Sequence, residues 1–471
     1  MENIKLLIER IISRANANLK EYDFDTRNFV VNTIDYEKLV KFYCFYGITS
    51  YHPLFFLFKN SSMAGSYFLG KANVKQSCIY KSDVRGDELK RKGDVMDKAN
   101  PLPLVEDEII IITSSLLYKT LVHSNSHNPE TPEEFSIRNT VATHYANIHG
   151  STMEGCFLGP FSTVDLMNLH SCIVGEFSYI QAGEFFHKKI DPGVVWIENK
   201  DFKFKYQHDQ AVLDKYIGVN DKGQPRGVIY DFVAEKERDY ERLFDVVDLE
   251  PIKAPESSAV NRYAVIKGKT KIGENVLVSQ RAFLDGARMG NGSNAQENTF
   301  IINSHLEGMN VTAHGGKIIN AFVGLKTFVG FNCFLHGKKD ACLTIGKGSI
   351  VAPHTIIDIT EPLTIPENHV VWGYICCEAD LATNTVPIEA LKGVRGNETM
   401  GKMSFSGSGQ VFVESFANRI EHILELNGAY CNYDGECSGH AQDDQQIAFN
   451  TLQPYRIGEN AGIYPSIRIE P

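Results

Sequence analysis

The sequence has no run approaching the roughly 18 consecutive apolar residues of a membrane span, no C-x-x-C pair and no dense block of lysine and arginine. Without the apolar run no spanning helix is expected, and the amino-terminal apolar stretch is broken by Glu9 and Arg10, which argues against a secretory leader. The ten cysteines fall singly apart from Cys376 and Cys377, so they read as small buried hydrophobes in a reducing compartment. Lys+Arg 47 against Asp+Glu 58 gives a net charge of -11, which repels phosphate backbones on average, so nucleic acid is not an expected partner. A hydrophobic fraction of 43% rules out disorder. The expectation is a soluble, cytoplasmic protein that acts on a small molecule away from membranes. Its 471 residues suggest about three domains, or fewer if one is an elongated repeat.

Helical spacing is present at the start and then vanishes. Ile4, Leu7, Ile8, Ile11, Ile12, Ala15 and Leu19 lie at helical intervals, with Asn3 placed to cap them. A second short helix is expected around Tyr36 to Phe45. From about Ser66 small or aliphatic residues recur every six positions. The runs are Ala72, Cys78, Val84; Ile110, Leu116, Val122; Val174, Ile180, Phe186; Val260, Ile266, Ile272, Val278, Leu284; Val323, Val329, Leu335; and Ile345, Val351, Ile357, Leu363. One inward side chain per short strand plus corner gives this step, and three steps make one triangular turn of a parallel β-helix. The predicted fold is therefore mainly β, a left-handed parallel β-helix of hexapeptide repeats in two halves, with flanking α-helices. The boundaries read as a helical segment 1–60, a first β-helix half 61–190, a charged insertion with a helix 191–255, a second half 256–380, and a linker, amphipathic helix and tail 381–471. In the last segment "SFSGSGQ" reads as a flexible link. Phe416, Ile420, Ile423 and Leu424 mark a helix stopped at Asn427 and Gly428.

The sharpest local signal is the histidine set His123, His127, His144 and His149. His144 and His149 are five apart, about one side of a triangular coil, so their imidazoles would emerge on different sides of a corner. A threefold assembly of β-helices would bring one subunit's histidine to its neighbour's. Three neutral imidazoles with an open fourth position are a catalytic metal arrangement.

These residues resemble the γ-class carbonic anhydrases of the hexapeptide-repeat superfamily. The resemblance is carried by "LVH" at Leu121 to His123, the acidic loop "NPETPEE", "THYANIHG" at Thr143 to Gly150, and "SDVRGDE" at Ser82 to Glu88. It implies metal ligation by His123, His144 and His149, with zinc first and iron or cobalt as alternatives, in a homotrimer. It also implies Arg85 and Asp87 as an inter-subunit pair and Glu88 as a proton acceptor. A proton shuttle from the acidic loop would use Glu130, Glu133 or Glu134. The activity implied is attack of metal-bound hydroxide on carbon dioxide or a similar small electrophile. The 38-residue interval from Arg85 to His123 implies an extra coil or loop.

The second half reads as a related block. Aligning His314 with His144 puts Ile319 at the His149 position and Ile302 at the His123 position. Scaffold or interface is the favoured reading there, and Gln296, Glu297, His305, His314 and His336 are kept as secondary candidates. Two other functions remain open: a hexapeptide-repeat acyltransferase, in which one histidine serves as general base toward an acyl-CoA type donor, and a non-catalytic trimeric scaffold. His127, His170 and His187, with Cys156, Phe157, Phe161 and Phe177, read as packing or surface residues.

Overall fold

A computed structural model describes residues 2–31, 33, 36–39, 44–48, 55–97, 100–125, 133–245, 253–426, 448–452 and 462–469. The chain forms two compact units, Met1–Pro192 with Gly218–Arg226 and Ile447–Pro471, and Gly193–Ile217 with Gly227–Gln446. Among the described residues no helix is long and apolar enough to cross a membrane.

The first unit is a parallel β-helix with three faces. One face stacks Ser66–Leu69, Asp83–Glu88, Leu121–Asn125, Asn147–His149, Thr163–Asp165 and Tyr179–Gln181. The second runs from Ala72–Lys75 through Ile109–Thr113, Glu134–Arg138, Thr152–Glu154 and Asn168–His170 to Glu184–Phe186. The third runs from Cys78–Tyr80 through Leu116–Tyr118, Val141–Ala142, Phe157–Leu158 and Ile173–Val174 to Lys189–Ile190. On this third face Leu116, Val141, Phe157 and Ile173 are register partners. They form one buried cluster with Ile4, Leu7, Ile8, Ile11, Ile12, Ala15 and Leu19 of the helix Glu2–Asn18. An apolar outer column cannot stay in water, and the amphipathic helix covers it.

The second unit repeats the design. Its faces run Ala259–Val260 to His369–Val371, Val265–Lys267 to Tyr374–Ile375, and Lys271–Ile272 to Leu363–Ile365. Val278, Leu284, Val323, Val329, Leu335, Ile345, Val351, Ile357 and Leu363 lie in its buried core. Val260, Ile266 and Ile272 belong to the first coil and are only partly buried. Corners follow a Gly-x-Asn pattern for two reasons. At "GEN" Asn275 is left-handed with φ 54, a conformation asparagine tolerates. At Gly330, a Cβ would stand 2.6 Å from the backbone nitrogen of Pro353 on the next coil.

Several expectations are corrected. The helix at Tyr36 stops at Leu39, and Cys44–Ile48 is a strand pairing with Ser66–Leu69, so coil strands begin before residue 61. Asn3 lies inside the first helix, which starts at Glu2. The "SFSGSGQ" link is mostly the strand Met403–Ser408, paired with Phe202–Gln207 and Arg395–Met400, because Met403 and Phe405 alternate inward. Phe186 is 56% exposed, and its neighbour Phe185 is the buried residue. The terminal helix Gly409–Leu426 buries Phe416 and Leu424, while its expected stop at Asn427 and Gly428 lies outside the described residues.

Within the second unit the segment Gly193–Ile217 is tied to the coils by buried His208, whose Nε2 lies 2.9 Å from the carbonyl oxygen of His354. Burial pushes this imidazole down to about 4. An unfolded chain binds the proton near 6.5, so the contribution is complete above that pH and is lost as pH falls toward 4. The expected loss is about 3 kcal/mol. Urea unfolding at pH 7 and pH 4.5 should show it in the wild type and much less of it in His208→Gln. Equal losses in both proteins would assign the acid sensitivity elsewhere.

Candidate active site

The site follows from register. Arg85, His123, His149 and Asp165 are successive partners on one face, so their side chains emerge in a column. The 38-residue interval is therefore one coil enlarged by a loop, with no extra coil: the loop leaves after Glu88, includes the hairpin Val95–Asp97 with Asn100–Pro103, and returns at Ile109. Arg85 and Asp87 form a buried ion pair within the chain. Asp87 Oδ1 lies 3.3 Å and Glu88 Oε1 3.6 Å from His123 Nε2. The rings of His123 and His149 meet edge to face with centroids 5.1 Å apart.

His149 Nδ1 lies 2.8 Å from Asp165 Oδ1, and the Tyr179 hydroxyl donates to Asp165 Oδ2 at 2.5 Å. Asp165 is fully buried, whereas the His149 side chain is 12% exposed. A carboxylate only accepts, so Nδ1 carries the proton and the lone pair sits on Nε2. This is the arrangement of a general base held in one tautomer. A hollow of about 180 Å³ opens beside the corners that follow His149 and Asp165, lined by Glu133, Glu134, Gly150, Thr152, Leu166 and Asn168 among others. The Tyr179 hydroxyl holds the Asp165 carboxylate in place. In Tyr179→Phe the loss of this bond to a buried carboxylate should cost about 1–3 kcal/mol of stability, read by urea unfolding.

His144 stands at the corner, left-handed with φ 23, and its ring packs against Tyr118 at 4.6 Å. Among the described residues it belongs to no group of three ligand-type side chains close enough to share an ion. The coils of this unit thus bring together two of the three imidazoles that the resemblance implied. These two are of the donor type that zinc takes, with a carboxylate on Nδ1 of one. His127 and Glu130 lie outside the described residues. His170 stacks on Phe186 at 4.9 Å and His187 pairs with Glu21 at 3.3 Å, while Cys156, Phe157, Phe161 and Phe177 are buried.

In the second unit His314 takes the corner position that His144 takes in the first, two residues after its strand. His314 Nδ1 lies 2.6 Å from Glu297 Oε2, both side chains buried, and its ring meets Phe331 at 5.3 Å. Gln296 is buried, and its backbone nitrogen donates to the Thr312 carbonyl at 3.1 Å. His305 packs on Phe322 at 5.2 Å.

The family described as "Hexapeptide repeat including loop" matches residues 100–221. Among solved structures, a "putative acetyltransferase" from Desulfovibrio desulfuricans G20 is similar to this chain, with 52% identity, coverage of 100% of this chain and 99% of that chain, and a TM-score of 0.91. The acetyltransferase domain of PglB from Neisseria gonorrhoeae FA1090 aligns with 30% of this chain and 66% of its own at 15% identity, with a TM-score of 0.15, too slight a likeness to support any inference. No curated protein matches the sequence. The full-length relative, described as a "putative acetyltransferase", overturns the expected carbonic anhydrase activity and the lyase class with it.

Proposed function

Because the chain belongs to the hexapeptide-repeat family, in company with that full-length Desulfovibrio relative, we propose that it is an acyltransferase with His149 as general base. The observation that carries this reading is the 52% identity over the whole chain to a protein described as a "putative acetyltransferase". The His149, Asp165 and Tyr179 array supports it from the chemistry side. In the reaction, an acceptor hydroxyl or amine attacks the carbonyl carbon of an acyl thioester. His149 Nε2 takes the acceptor's proton as the new C–O or C–N bond forms. The C–S bond then breaks, and the proton passes from Nε2 to the departing sulfur, releasing a free thiol. Asp165 keeps Nδ1 protonated throughout and stabilises the transient imidazolium.

Calorimetric titration with acetyl-CoA, followed by thiol release across a panel of hydroxyl and amine acceptors, tests the proposal. Saturable binding and acceptor-dependent thiol release are expected. Absence of both would overturn it. Chelation separates a base from a ligand: with His149 as base, dialysis against EDTA leaves thiol release unchanged. Loss of rate on chelation with recovery on adding zinc would make His149 a ligand instead.

A further inference from the structure

The constellation at His149 recurs in the second unit, on residues that the reaction above does not use. His336 is the last residue of the strand Phe334–His336, and Asp358 is its register partner at the end of Ile356–Asp358. His149 and Asp165 hold the same two places on their coils. His336 Nδ1 lies 3.0 Å from Asp358 Oδ1, and the Tyr216 hydroxyl donates to Asp358 Oδ2 at 2.7 Å. Histidine, aspartate and tyrosine thus recur with the same oxygen assignments, although the tyrosine comes from the helix Gln210–Tyr216 rather than from a coil. Burial alone would raise Asp358, but hydrogen bonds from His336, Lys338 and Tyr216 hold it well below the usual carboxylate range.

The second array differs in charge. Lys338, on the loop after His336, places Nζ 2.6 Å from Asp358 Oδ1 and 3.0 Å from His336 Nδ1. Lys215 Nζ lies 3.9 Å from Asp358 Oδ2 and 2.9 Å from the Tyr216 hydroxyl. An ammonium only donates and a carboxylate only accepts, so Lys338 and Asp358, each 3.0 Å from Nδ1, ask opposite roles of it; a base at Nε2 requires the tautomer in which Nδ1 donates to Asp358 and Lys338 gives its protons to the carboxylate. The His336 side chain is 25% exposed, and Nε2 makes no hydrogen bond among the described residues. Two ammonium groups against one carboxylate leave a positive balance beside an accessible imidazole, a setting that attracts an anion.

We propose that the second unit carries a second base site, His336 oriented by Asp358 and Tyr216, and that the molecule it deprotonates bears a phosphate or carboxylate met by Lys338 and Lys215. The reaction it serves is the same acyl transfer, from a thioester to that molecule's hydroxyl or amine, with the proton passing through Nε2 to the leaving sulfur. In that respect the inference rests on the acyltransferase reading.

The experiment reads His336 itself. Diethylpyrocarbonate labels unprotonated imidazole, and peptide mass spectrometry follows labelling of His336 at pH 7 in the full chain. Labelling is expected, and either inorganic phosphate or acetate should slow it about two- to fivefold, the size of an exposed ion-pair contact. The arm that protects tells phosphate from carboxylate recognition. Protection should be lost in Lys338→Met and kept in Lys338→Arg, with thermal unfolding of both variants confirming that they fold. An unlabelled His336, protection by neither anion, or equal protection in Lys338→Met would overturn the proposal. Because the variant and the peptide read concern Lys338 and His336 alone, these results leave the first site's reading standing, and a failure of acetyl-CoA binding leaves this site's anion recognition standing.

Discussion

His149→Ala should lower kcat/KM for acyl transfer by about 10²- to 10⁴-fold, the range for loss of a positioned general base, while donor binding stays within about twofold of wild type. The imidazole acts on the acceptor's proton and not on the donor, so the loss should appear in kcat. Asp165→Asn should be nearly as damaging, because an amide can present its carbonyl oxygen or its NH₂ to Nδ1 and no longer fixes the tautomer. Stopped-flow thiol release reads kcat and KM for both variants. A kcat unchanged in His149→Ala would move the base to another residue.

Leu335→Ala should destabilise the second unit by about 2–5 kcal/mol, the cost of a large-to-small change in a packed core. Leu335 is 0% exposed and stacks between Ile318 and Ile357 on the coils either side. Each coil buries its apolar face only against its neighbours, so the gap weakens two interfaces. Leu325→Ala, at a side chain 38% exposed, should cost about 0.5 kcal/mol or less. Chemical denaturation of both variants measures the contrast, and similar midpoints would mean that the inward columns do not set the unit's stability.

The coils were legible because their signal is periodic. The steps through Val278 and Leu284 or Val329 and Leu335 each fall on a strand, since one inward side chain per strand is a geometric requirement. The same rule misplaces Phe186, because at Glu184–Phe186 the inward residue shifts by one and nothing local records which of two adjacent phenylalanines turns in. The link at "SFSGSGQ" failed for a different reason: glycine and serine suit a loop, but strand pairing with Phe202–Gln207 is a contact between distant segments.

The site was legible in part. His123 and His149, both named from the resemblance, share a column on one face, a placement that the spacing argument, which concerned His144 and His149, did not make. Asp165 and Tyr179, which orient His149, were missed, although Asp165 follows His149 by 16 residues, one coil length in this stretch. A search for acids one coil after each histidine would have found it. The same search would have failed for His336 and Asp358, because the loop carrying Lys338 lengthens that coil and hides the register. The resemblance to carbonic anhydrases rested on the coil and its histidines, which are shared by proteins of different chemistry on one fold.

The most direct test of the central claim is mass spectrometry of the acceptor panel after incubation with acetyl-CoA and either wild type or His149→Ala. The account predicts an acetylated acceptor that accumulates with wild type and stays near the enzyme-free level with the variant. Acetylation that proceeds equally with both proteins, or with neither, would contradict it.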